Sequence, residues 1–245
     1  MPRADLAAAL LITTVACAAG APASVAAQSE GDVAAWSALV GTPVGALPPL
    51  FTPTVAGIPL HSAQLALRYG HMGGGADLAS LDDFAATAIL PAGMGATVSL
   101  TGGVVHASCD GCANHLILSM RGDLSLYSSP LGPSSDAGRL SVALNGEFGY
   151  GHPRDATLLA GAVGLPVALV LGSSGMRFVP FVTPAFGFGS SNESGTTVSG
   201  SRFLLGGGVG LLNPESSVSL HAGFQQVMIS GGKMVFGLAL ALGGR

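Results

Sequence analysis

The stretch Thr157–Gly172 reads TLLAGAVGLPVALVLG, the most hydrophobic run beyond the N-terminus. Read as a helix, it would make the chain a helical membrane protein; read as a strand, it points to a different architecture. A membrane-spanning helix needs roughly 18 uninterrupted apolar residues, and this run is shorter and carries Pro166 in its second half. Its residues alternate by size instead. Leu159, Val163, Leu165, Val167 and Leu169 share one parity, and Ala160, Ala162, Gly164, Pro166 and Ala168 the other. Successive side chains of a strand point to opposite faces. Bulky residues toward lipid and small ones toward a narrow interior would produce this pattern. Pro166 removes a ladder hydrogen bond or marks a bulge.

The same period of two runs outward from this stretch in both directions. In SAQLALRY, Ala63, Leu65, Leu67 and Tyr69 alternate with Ser62, Gln64, Ala66 and Arg68. In HLILSMRGDLSLY, Leu116, Leu118, Met120, Leu124 and Leu126 alternate with Ser119, Arg121, Asp123 and Ser125. In LSVALNGEFGY, Leu140, Val142, Leu144 and Phe148 alternate with Ser141, Asn145 and Glu147. About ten such segments are expected, near 62–71, 83–90, 96–106, 115–127, 139–150, 157–171, 176–189, 200–212, 217–228 and 233–243. Many approach the 9–11 residues with which a tilted strand crosses a bilayer. PAGMG, SSG and NPESS read as tight connectors, whereas HMGGGADLASLD, ASCDGCAN and GSSNESGTTVSGS read as longer polar loops. Short turns at one end and longer loops at the other are the mark of a transmembrane barrel. SSPLGPSSDAG breaks that rule, which leaves eight strands as the alternative to ten.

Composition supports a lipid-facing sheet. Charged residues make up only 9% of the chain, against about 25% in an ordinary soluble domain. A secreted β-sandwich also uses alternating strands, but it keeps its charge outside, and there is too little here to cover one. The net charge of −4 and a single lysine, Lys233, give no basic patch for nucleic acid. Residues 1–27 read as a signal peptide: Arg3, then the apolar LAAALLITTVACAAG, then Val25 and Ala27 ahead of a cut near Gln28. A lipoprotein anchored at Cys17 is the alternative, although TTVAC has Thr14 where a lipobox usually has leucine. Residues 28–57 are rich in proline and lack a period, so they are read as an irregular linker or plug; residues 58–245 are read as the barrel.

These features resemble small outer-membrane β-barrel proteins of Gram-negative-type bacteria, on the strength of VPFVTPAFGFG, FLLGGGVGLL and the closing MVFGLALALGGR. The resemblance implies an all-β, antiparallel transmembrane barrel of about 8–10 strands in the cell outer membrane. It also implies outer-membrane lipid and the barrel-assembly machinery as partners. Such barrels usually end on an aromatic residue, where this chain has Gly243-Gly244-Arg245.

Three constellations stand out. Arg68, Arg121, Asp123, Glu147, Arg202 and His221 fall on the polar parity and are expected inside the barrel. A lone buried charge is very costly, so they are expected to pair across the lumen and occlude it; a gated narrow pore is the alternative. The loops are rich in acids and histidines: His71, Asp82, Asp83, His106, Asp110, His115 and His152. No nucleophile motif such as Gly-x-Ser-x-Gly accompanies them, so no catalytic residue is assigned; a rim hydrolase using Asp82, Asp83 and His106 is the alternative. The expected role is structural, adhesive or interactive, with a small-solute porin as the runner-up and no cofactor.

The third constellation is HASCDGCANH, His106–His115, which has the composition of a zinc site and the Cys-x-x-Cys of a redox centre. In an oxidising compartment a disulfide between Cys109 and Cys112 is the favoured reading, with no metal. Intact mass with alkylation should show both cysteines modified only after reduction. Two free thiols in freshly isolated protein, or one tightly held zinc per chain, would contradict the disulfide.

Overall fold

A computed structural model of the chain describes residues 38–73, 80–108, 114–132, 138–154, 156–172, 175–213, 218–228 and 234–243. The expected signal peptide at residues 1–27, with Cys17, and also Cys109, Asp110 and Cys112 lie outside the described residues. The strands are β1 Gln64–Met72, β2 Ser80–Gly93, β3 Ala96–Ser108, β4 His115–Pro130, β5 Arg139–His152, β6 Ala156–Gly164, β7 Val167–Val170, β8 Arg177–Glu193, β9 Thr196–Asn213, β10 Val218–Val227 and β11 Met234–Gly243. Each pairs antiparallel with its sequence neighbour, apart from β6 and β7, which follow one another along a single stave between β5 and β8. Pro166 explains the break: with no N–H it cannot continue the ladder, while its carbonyl still accepts from Ala143 N at 2.9 Å. The eleven strands are therefore ten staves.

The sheet closes on itself. The first and last strands pair in unbroken register from Gln64↔Gly243 to Met72↔Val235. Both ends of the sheet thereby lose their free edge. The architecture is a closed, all-β, antiparallel ten-stave barrel. The end that carries the start of β1 and the close of β11 also carries the β2–β3, β4–β5, β7–β8 and β9–β10 connections, and is called here the turn end; the other is the loop end.

The expectation of a long polar loop at GSSNESGTTVSGS is corrected. β8 runs to Glu193 and β9 starts at Thr196, paired directly in register. Ser194 (φ 50°) and Gly195 (φ 86°) form a two-residue turn with both φ positive, the backbone that matches the twist of a hairpin. Serine and threonine here belong to strands of 17 and 18 residues. These are longer than a crossing requires, so their loop-end portions extend past the apolar belt and have no reason to be hydrophobic. Polarity alone imitates a loop.

Exposure in this barrel is inverted relative to a soluble protein. Leu67, Leu118 and Met120 are each 57% exposed, whereas Arg121 and Asp123 are 5% and 2% exposed. The outward belt continues around the wall through Phe84, Leu100, Phe148, Phe186, Phe236 and Leu240. Only a closed sheet can place such a face in hydrocarbon, because lipid offers no partner to a free backbone N–H or C=O. Inside, the chain from Ala38 to Val55 is almost wholly buried, including the one-turn helix α1, Pro43–Ala46.

Met120, outward near mid-height, is the clean test of this face. Met120→Arg should cost about 2–4 kcal/mol of folding free energy in lipid vesicles. Ser199→Arg, in the projecting part of β9, should leave stability nearly unchanged. Equal effects at the two positions would show that Met120 does not face lipid.

Candidate functional site

The interior of the barrel is occupied by the chain's own N-terminal segment. Its levels can be followed residue by residue. Gly41 lies at the loop end, where its carbonyl accepts from His115 Nε2 at 3.0 Å. Below it, Pro43 and Val44 lie against Gly149, and Ala46 and Leu47 against Gly70. Pro48 packs on Gly237 and Pro49 on Gly206. Phe51 packs on Gly210 and contacts the rings of Phe181 and His221, at centroid distances of 5.6 and 5.3 Å. Gly57 (φ 65°) meets Ser128 and Ser141 near the turn end. From there, Ile58 to Ala63 lead into β1.

Glycine makes this possible. A Cβ on Gly206 would stand 2.5 Å from Pro49 Cγ, and one on Gly237 would stand 2.6 Å from Pro48 Cγ. A barrel of about eight staves is just wide enough to be filled by side chains. Ten staves with glycine facing inward at these levels leave room for a single pass of chain.

A buried backbone must have its polar groups satisfied, and the wall supplies partners. Gln225 Nε2 donates to the Val44 carbonyl at 2.6 Å, and the Arg68 guanidinium donates to the Pro48 carbonyl. Thr52 Oγ1 donates to Asp123 Oδ2 at 3.4 Å. Proline brings no N–H that would need an acceptor, so a proline-rich plug asks the wall mainly for donors. Arginine, glutamine and histidine are donors.

This changes the expected wiring of the charged residues. Arg68, Arg121, Asp123 and His221 are buried in the lumen, and Glu147 faces inward beside them. Arg68 on β1 and Glu147 on β5 act on each other electrostatically from different staves, but the close ion pair is made along one stave. Arg121 pairs instead with Asp123 two residues along β4, through Nη2–Oδ1 at 2.6 Å and Nε–Oδ1 at 3.0 Å. Glu147, the register partner of Arg121 on β5, accepts from Ser119 Oγ at 3.1 Å and feels the positive charge of both Arg121 and Arg68. His221 Nε2 bonds Ser219 Oγ at 2.8 Å. Arg202 has inward parity but sits toward the loop end, and its Nη1 donates to the Ser201 carbonyl at 2.7 Å. A cavity of about 30 Å³ among Val44, Arg121, Asn145, Glu147 and Gln225 has room for roughly two waters. A larger one, about 240 Å³, opens at the turn end between Ile58–Ser62 and Gln64, Arg177 and Asn213.

The rim residues divide between the two faces. Tyr69 Oη and His71 Nδ1 both donate to Asp82 Oδ1, at 2.7 and 2.9 Å, on the outer face at the loop end. Asp82 is also the register partner of His106 on β3, whose Nδ1 bonds Asn114 Oδ1 at 2.6 Å. Asp83, one residue on, points the opposite way: it is fully buried, and neither carboxylate oxygen has a hydrogen-bond partner. The two carboxylates therefore cannot share one site. His115 is committed to the plug, and His152 stacks on Tyr150 with centroids 6.2 Å apart. No group of three or more His, Cys, Asp or Glu is placed to hold a metal ion among the described residues.

No protein-family model and no curated protein matches the sequence. Among solved structures, the chain is similar to the outer membrane enzyme PagL (10% identity, 73% of this chain and 98% of that one, TM-score 0.39). It is also similar to the translocator domain of the autotransporter NalP from Neisseria meningitidis (11%, 75% and 86%, TM-score 0.42). A third likeness is to Ail, the attachment invasion locus protein of Yersinia pestis (9%, 74% and 95%, TM-score 0.35). At these values the likeness concerns barrel architecture and says nothing of activity.

The buried pair Arg121–Asp123 gives a stability test. Removing one partner strands a buried charge, which costs about 3–5 kcal/mol, whereas replacing both by apolar residues is often neutral. Arg121→Leu alone should therefore lower the denaturant midpoint strongly, and the double variant Arg121→Leu/Asp123→Leu should regain most of the loss. A double variant as unstable as the single one would mean that the plug contact through Thr52, not charge pairing, dominates at Asp123.

Proposed function

We propose that the protein is an integral outer-membrane barrel with a closed lumen and a structural, adhesive or interactive role, not general permeation. The observation that carries this reading is the passage of residues 41–57 through the full height of the interior, gripped at successive levels by His115, Gln225, Arg68 and Asp123. Two apolar layers back it. Leu39 and Val40 of the plug pack on Met72, Val227 and Val235 at the loop end, and Phe51 and Val55 pack on Val170, Val179 and Phe181 toward the turn end. A cavity of about 30 Å³ lies in the charged layer between them.

The outer-membrane setting rests on the lipid-facing belt, the closed sheet and the export signal read from the sequence. A small-solute porin remains the competing function and makes the opposite demand, a continuous water path.

Planar-bilayer recording separates the two. The intact protein should show no large, stable conductance steps. Deleting residues 38–60 should open them. Because that deletion removes much of the core, Gly206→Val serves as a second variant: its side chain would displace Pro49 while the staves keep their register. It should raise conductance in a protein that still shifts on a gel when boiled, and Gly122→Ala, which meets nothing within 4 Å, should not. Large steps in the intact protein, unchanged by these variants, would overturn the closed-lumen reading.

A further inference from the structure

β9 outruns its neighbour β10 at the loop end, and the edge left open there is of a kind that takes another strand. We propose that the β9 edge at Thr197–Ser201 is a docking surface for an extended polypeptide of a partner, recognised through its main chain. The proposal rests on the interactive role argued above and gives it a place and a partner chemistry.

On one side β9 pairs with β8 from Thr196 to Leu212 without a register shift. On the other side the ladder to β10 stops at Leu204↔Val227, with one further bond from Met228 N to the Phe203 carbonyl at 2.9 Å. Thr196–Arg202 therefore have no strand on that side among the described residues. Alternate residues of a strand turn their N–H and C=O to the same side. Phe203 turns its carbonyl toward β10, so Ser201, Ser199 and Thr197 present theirs to the open side. Arg202 covers the lowest of these groups, since its Nη1 donates to the Ser201 carbonyl. Met228 and Met234 are six peptide links apart, at most roughly 23 Å of chain. That is too little to climb about 13 Å past Phe203 to Ser199 and return. The edge lies in water: Phe203 on β9 and Phe188 on β8 are the last large apolar side chains facing outward before the turn, and Thr196, Thr197, Ser199 and Ser201 are exposed.

Proteins that must avoid strand addition blunt such edges with bulges, prolines or charges. β4 shows the device. It outruns β3 beyond Ser125, whose N donates to the Gly95 carbonyl at 2.9 Å, and there it carries a register shift at Ser125/Tyr127 and ends on Pro130. The β9 edge from Thr196 to Ser201 has no bulge, proline or charge, and its threonines and valine suit a strand. An open edge offers donors and acceptors at the strand repeat, which another extended backbone matches. A second upright copy matches it badly. About a two-fold axis along the membrane normal, Thr197 and Ser199 would meet their own counterparts at equal height, N–H facing N–H, whereas parallel strands bond through slanted, offset pairs.

The test uses the full-length protein in detergent micelles, with the heat-dependent gel shift showing that each barrel has folded. The probe is a soluble, end-blocked peptide of alternating threonine and valine headed by one lysine, and the readout is amide exchange at Thr197 and Ser199. The peptide should slow exchange at both amides severalfold. The same peptide N-methylated at alternate residues should have no effect. Thr197→Ala/Ser199→Ala keeps the backbone and should keep the response. Ser199→Pro removes an N–H that β8 does not use and should abolish the response at Thr197. Exchange that is no slower with peptide, a response that survives N-methylation or Ser199→Pro, or loss of the response in the alanine variant would each overturn main-chain docking. So would dimers of the isolated protein that Ser199→Pro dissociates, which would give the edge to a second copy. A failure here is distinct from failure of the closed-lumen reading: an edge without response leaves the lumen closed, and large conductance steps would leave the edge response in place.

Discussion

Everything in this structure depends on the ladder between β1 and β11. Nine register pairs, from Gln64↔Gly243 to Met72↔Val235, join the two ends of the sheet. In water an open sheet edge is solvated; in hydrocarbon each unpaired backbone group costs several kcal/mol. Closure therefore decides whether Leu67, Leu118, Met120 and the rest of the outward belt can face lipid at all. It also creates the enclosed interior that something must fill.

The same rule then governs the inside. A ten-stave interior is too wide for small inward residues such as Gly70, Gly149, Gly206, Gly210 and Gly237 to fill. The chain fills it with its own preceding segment. A segment with so little regular structure carries its polar backbone with it, and burial demands partners for that backbone. Two features of sequence meet the demand together. Prolines reduce the number of N–H groups needing acceptors, and Arg68, Gln225 and His115 supply donors to carbonyls. Of the inward charges, Arg68 and Asp123 bond the plug, and Asp123 also binds Arg121 along the wall.

The fold was legible in the sequence where its signal is local. Period two needs only a few neighbouring residues, so all ten staves could be placed near their observed positions, including the stave interrupted at Pro166. The β8–β9 hairpin is hidden in the sequence because its polarity imitates a loop, whereas those residues are strand that has outrun the apolar belt. The interior was less legible. Parity placed Arg68, Arg121, Asp123, Glu147 and His221 on the inner face, but parity cannot say what an inward side chain meets across the lumen. The missing signal is a correspondence between distant segments: prolines at 43, 48 and 49, and glycines at 149, 206 and 237 that receive them. Each half alone has a commonplace explanation, and only the fold brings them together. The rim shows a similar limit, since adjacent Asp82 and Asp83 look like a pair in sequence and are driven to opposite faces by the strand.

The central claim is that the proline-rich segment lies inside the barrel against these glycines, and a cross-link tests it directly. Pro49 Cβ and a Cβ placed on Gly206 would be 3.5 Å apart, within the range of a disulfide. In a background where Cys109 and Cys112 are replaced by serine, the pair Pro49→Cys/Gly206→Cys should oxidise in the folded protein. It should then give a faster-migrating, reducible band after denaturation, and Pro49→Cys/Gly122→Cys, with its second cysteine on the outer face, should not. Free thiols at 49 and 206 under oxidising conditions in a folded barrel would contradict the account.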